Sequence, residues 1–146
     1  MRKAQAGVML VEAMVGLMIF VLGILGVIGM QATATKLAAD SQYRSEAALF
    51  ADRLLSQIWT DDPANLADYA GDSDGNGGAR YTAWRDEVTA AGTGLPGIEP
   101  GTFPTVSVDT QVLNGYVIPR VTVEVRWRSP GEAESHRYVT SSNVSF

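Results

Sequence analysis

The chain has no cysteine, so it forms no disulfide, offers no thiolate to a metal and holds no thiol nucleophile. Histidine is nearly as scarce. His136 stands alone, and an isolated histidine is read as a structural or exposed residue. Basic residues are in deficit, 11 against 16 acidic ones, which gives a net charge of −5 and argues against a surface that tracks phosphates. No nucleic-acid partner is expected. Phosphate-loop and dinucleotide motifs are also missing. At 146 residues there is room for one modest domain beside the apolar N-terminal stretch, since a compact domain takes about 100–150 residues, and none for a second enzymatic domain.

What the chain does have is an apolar run over residues 8–30, broken only by Glu12 and preceded by a short basic leader with Arg2 and Lys3. As a helix this run spans roughly 35 Å, enough to cross a hydrocarbon core of about 30 Å. The leading positive charges place the N-terminus in the cytoplasm and the remainder outside. A secretory signal peptide has a shorter apolar core of about 7–15 residues, although Ala32-Thr33-Ala34 resembles a cleavage site that would start the mature chain near Thr35. A plain signal anchor accounts for the length and the charge but not for Glu12. A charge within such a segment costs about 2.5–3.5 kcal/mol at the bilayer centre, so its retention points to a specific partner.

The order basic leader, Gly7-Val8-Met9-Leu10-Val11-Glu12, then a long apolar helix resembles the prepilin peptidase site of type IV pilins. The resemblance implies that Gly7 is the last leader residue and that Val8 is the mature, N-methylated residue. It further implies that Glu12 pairs with the N-terminal amine of a neighbouring subunit. Val8 stands where most family members have Phe. Loss of the leader would remove two basic side chains and take the net charge to −7. Gly23-Ile24-Leu25-Gly26-Val27-Ile28-Gly29-Met30-Gln31, followed by Tyr43-Arg44-Ser45-Glu46-Ala47-Ala48-Leu49-Phe50-Ala51-Asp52-Arg53-Leu54, resembles the PilV family of type IV pilus minor pilins over roughly residues 1–60. The pseudopilin GspI of type II secretion has a similar N-terminus and is the nearest alternative. The PilV resemblance implies no enzymatic activity, no cofactor, and a place in the inner membrane and then in the pilus. The partners it implies are prepilin peptidase, other minor pilins, the major pilin and the assembly machinery.

Gly23, Gly26 and Gly29 each weaken a helix by up to about 1 kcal/mol relative to Ala. This half of the apolar helix can either unwind, as the resemblance implies on entry to a filament, or pack closely against small residues. Farther on, Tyr43, Ala47, Phe50, Leu54 and Ile58 recur at three- and four-residue intervals, the spacing of one helical face. No Gly or Pro interrupts residues 32–59, so one helix is expected from near Met9 to Trp59, stopped by Asp61-Asp62-Pro63. The expected organisation is a leader at 1–7, a membrane or filament-core helix at 8–30, its amphipathic continuation at 31–60 and a globular region at 61–146.

Within the globular region, residues 61–104 read as loops, with a helical turn near Leu66 and Tyr69. One short helix there should place Tyr81, Trp84 and Val88 on one side. Val121, Val123, Val125 and Trp127 alternate with polar residues, the period of a half-buried strand. A weaker strand runs from Val106 to Val112, Asn114-Gly115 supplies a hairpin turn, and a last strand lies near 137–145. The expected fold class is α+β: a long N-terminal helix with an antiparallel meander at 105–146 laid on it, the type IV pilin layout.

Three motifs need weighing. Gly71-Asp72-Ser73-Asp74-Gly75 matches the nucleophile pattern G-x-S-x-G, with Asp109 and His136 following in hydrolase order, but the chain is too short for the large sheet that exposes such a serine. Asp72, Asp74, Asn76 and Gly77 match the front half of a calcium loop, yet Ala83 takes the place of the bidentate Glu and Arg80 occupies the ninth position. A calcium site would have to borrow Asp68 or Glu87, so the segment is expected to be a mobile polar loop. Arg126, Arg128 and Arg137 are expected on the solvent side of the sheet, either as a solvated face or as a basic patch for an acidic neighbour.

Overall fold

The structure, a computed structural model, describes the backbone of residues 3–113 and 116–144, with side chains from Val8 onward except that of Leu113. Its elements are α1 (Lys3–Thr60), a 3-10 helix (Pro63–Tyr69), α2 (Ala79–Val88), β1 (Thr105–Leu113), β2 (Tyr116–Trp127) and β3 (His136–Asn143). The chain divides into two compact units, Met1–Ala39 and Asp40–Phe146.

In the first unit α1 begins at Lys3, ahead of the start expected near Met9, and continues without a break through Gly23, Gly26 and Gly29. A Cβ added at any of these glycines would meet nothing within 4 Å, so no packing among the described residues requires them. The most apolar window of the helix has a mean hydropathy of 2.6 and none of it is buried, and the helix is long and apolar enough to cross a membrane.

In the second unit the end of α1 lies on the sheet. Ala47, Ala51, Leu54, Leu55 and Ile58 are buried, with Tyr43 and Phe50 packed at the margin, close to the stripe read from the spacing. The helix stops at Thr60 because Pro63 cannot continue it. The Asp62 carboxylate instead accepts from the Ala64 amide at 2.9 Å and caps the 3-10 helix. Burial of Tyr81, Trp84 and Val88 on α2 follows the expected face.

The sheet is an antiparallel meander in the order β1-β2-β3. Val121, Val123, Val125 and Trp127 are all buried while their alternating neighbours are half-buried. β2 reaches back to Tyr116 through Pro119, farther than the alternation alone indicated. Its ladder with β3 ends at Arg120 paired with Asn143, so the missing proline N–H falls beyond that ladder. β1 and β2 pair up to Leu113 opposite Tyr116, and the expected turn Asn114-Gly115 lies outside the described residues.

Candidate functional site

At the N-terminal end, Val8 and Glu12 are four residues apart on α1 and therefore share a face, about 6 Å apart along the axis. Both are exposed, as are Met9, Leu10 and Val11 between them. Glu12 is the sole acidic residue of 8–39, so the apolar surface carries one negative charge, about one turn from Val8. Met14, Leu17, Met18, Val21 and Leu22 line a shallow apolar depression just beyond it. An exposed carboxylate beside an apolar surface can take up a cation delivered by another chain.

In the globular unit, two acidic side chains organise the segment that the sequence reads as loop. Asp61 accepts from Arg80 Nε at 2.5 Å and Nη2 at 3.2 Å, from Tyr69 Oη at 2.7 Å and from Asn65 Nδ2 at 2.9 Å. The Arg80 guanidinium, then the Tyr69 and Asn65 donors, hold its carboxyl far below the ordinary carboxylate range. The Asp61 bridge and desolvation act in opposite directions on Arg80, and the bridge dominates, keeping it protonated. Asp61, Tyr69 and Arg80 line a cleft of about 490 Å³ together with Gln57, Ala83 and Trp84. Because the folded state holds the Asp61 proton more weakly than the unfolded chain, its contribution is present above about pH 4 and lost as the pH falls through the folded-state value. Asp61→Ala is expected to lower stability at neutral pH and to remove part of the acid-induced loss, measured by urea unfolding at pH 7 and pH 3.

Asp72 organises the second cluster. Its Oδ1 accepts from the amides of Asp74 at 3.0 Å and Asn76 at 2.9 Å, and these bonds hold its carboxyl below the usual range. Gly71 bridges both Gly77 and Val106, Ser73 O accepts from Gly101 and Phe103, and Arg85 Nη1 donates to Gly75 O at 2.6 Å. The segment is therefore latched to α2 and β1 by hydrogen bonds that the sequence reading as a polar loop did not include.

Asp68 and Glu87, the ligands a calcium site would have to borrow, are both engaged. Asp68 accepts from the Ala79 and Arg80 amides at the start of α2, and Glu87 pairs with Arg53. The serine-hydrolase pattern is likewise not assembled: among the described residues Asp109 accepts from Ser107 and His136 contacts Glu132.

The arginines of the sheet also differ from a basic patch. Arg126 and Arg137 are directly opposite, as the strand reading implies, but Glu124 lies between them, 2.5 Å from Arg126 Nε and 3.7 Å from Arg137 Nη1. Arg128 turns to Glu99 at 3.3 Å. The sequence showed the three arginines but not their acidic partners, because Glu99 comes from a distant loop. The hub role of Asp61 was also hidden: in sequence it reads only as part of a helix stop. Comparisons with family models, with curated proteins and with solved structures find no match for this chain.

Proposed function

We propose that this chain is a minor pilin of the type IV pilus, of the PilV kind. Prepilin peptidase would cut it between Gly7 and Val8, and Val8 would be methylated. The subunit would wait in the inner membrane, N-terminus cytoplasmic and globular unit periplasmic, and then join the pilus-initiating or tip complex with other minor pilins and the major pilin.

The observation that carries this reading is a single unbroken helix. Its start bears the motif of residues 7–12 and an uncovered apolar surface, while its end supplies the core of an α+β unit. A chain with only a membrane anchor has no need of Glu12. The glycines at 23, 26 and 29, which serve no packing among the described residues, fit a helix that must approach other helices closely or loosen on leaving the bilayer. Neutralisation between Glu12 and a neighbour's amine fixes axial register, since Coulomb attraction strengthens as the helices leave water.

The mature protein is expected to begin at Val8 with an N-methyl group, read by N-terminal sequencing and intact mass. A start near Thr35 would instead make the chain a secreted domain, and an uncut N-terminus would make it a plain anchored one.

A further inference from the structure

A further polar cluster, unconnected with the N-terminal motif, lies where the first residue of the globular unit meets the β2–β3 connection. Asp40, Glu132 and His136 each present a ligand atom, and these atoms all lie within 4.8 Å of one another. His136 Nε2 is 2.5 Å from Glu132 Oε2. The Ser129 hydroxyl, on a buried residue, donates to Asp40 Oδ1 at 2.8 Å and orients that carboxylate. The imidazole is held by stacking on Trp127, with ring centres 5.5 Å apart and planes inclined by 21°.

Beside this cluster is a cavity of about 310 Å³ lined by Asp40, Ser41, Arg44, Trp127, His136 and Arg137. Trp127 is only 3% exposed, and its Nε1–H has no hydrogen-bond partner among the described residues. This buried donor without an acceptor is an observation separate from the three ligand atoms. Arg137 also lies near Glu124, which takes up part of its charge.

We propose that Asp40, Glu132 and His136 form a divalent transition-metal site. One imidazole and two carboxylates suit a borderline ion such as zinc: the carboxylates balance its charge, and a water completes the fourth position. Ligands at about 2.0–2.2 Å from a tetrahedral ion stand about 3.3–3.6 Å apart, so side-chain rotations that part His136 from Glu132 and draw in Asp40 would seat it. The Ser129–Asp40 bond is then the outer contact that fixes a ligand. The ion ties α1 to the loop before β3, residues more than 90 positions apart in the chain.

The test is zinc titration by calorimetry on the tag-free full chain in detergent, with cobalt absorption as a second reading. One equivalent is expected to bind, and Asp40→Asn and His136→Gln are each expected to weaken binding at least tenfold, with Asp74→Asn unchanged. No binding at millimolar zinc, or unaltered binding to His136→Gln, would overturn the site. Should the variants not fold, X-ray absorption of the zinc-loaded wild type decides: His136 is the one histidine, so an imidazole in the zinc shell supports the site and its absence overturns it.

Discussion

Glu12→Ala is expected to insert into the membrane as well as the wild type does and to be lost from the filament. Insertion is governed by the apolar length of residues 8–30, which the change leaves intact and makes more apolar. On the proposed reading, incorporation depends on the carboxylate. Without it the neighbour's amine enters an apolar environment unpaired, and breaking such a buried pair by removing one member costs about 3–5 kcal/mol. At about 1.4 kcal/mol per tenfold, incorporation should fall by more than a hundredfold. The comparison is the ratio of variant to wild type in sheared pili against the ratio in membranes. Equal ratios in both fractions would remove the pairing role of Glu12 while leaving the cleavage site untouched.

Tyr81→Ala is expected to destabilise the globular unit by about 3–5 kcal/mol, the range for truncating a large buried aromatic. Tyr81 is fully buried, and its hydroxyl lies 2.7 Å from both Asp72 O and Pro104 O. One proton serves two carbonyl groups there, joining the latched segment to the start of β1. The ring rests on Gly71 and Gly77, where an added Cβ would come within 2.4 Å and 2.3 Å of it, so its position depends on those two glycines. Tyr81→Phe keeps the ring and removes the donor, and should cost about 1–3 kcal/mol.

Both variants also differ from the wild type in alkali. Burial pushes the Tyr81 hydroxyl up to about 12. The folded state therefore resists ionisation that the unfolded chain undergoes near pH 10, and stability is complete below that value. Between about pH 10 and 12 this group alone should remove about 1.4 kcal/mol per pH unit. Tyr81→Phe should lose that share of the slope and keep the part due to Tyr69, whose hydroxyl is also raised, first by burial and then by Asp61. Urea unfolding followed by tryptophan fluorescence at pH 8, 10 and 11 measures both effects.

The elements whose structure depends on local pattern were legible in the sequence. Alternation at Val121, Val123, Val125 and Trp127 gave the buried face of β2, and Pro63 marked the end of α1. The polar clusters were not, for a physical reason. Asp72 closes its segment through backbone amides, but what fixes that segment is Tyr81 from α2 and the carbonyl of Ser73 receiving amides of Gly101 and Phe103. None of these partners is within reach of a periodicity argument. Asp40 and His136 are likewise brought together only by packing α1 on the sheet.

Ala47 and Ala51 are fully buried on the face of α1 that meets the sheet. With a single methyl group each, they leave little room for drift in either direction. Enlarging them forces neighbouring side chains off their rotamers at about 1–3 kcal/mol, and shrinking them to glycine costs up to about 1 kcal/mol of helix propensity. Leu49, exposed on the same helix, is under no such restriction. Along one turn of α1, then, the tolerance of the chain to mutation is graded by direction around the helix rather than by hydrophobicity: a small buried alanine resists a change that a large exposed leucine accepts.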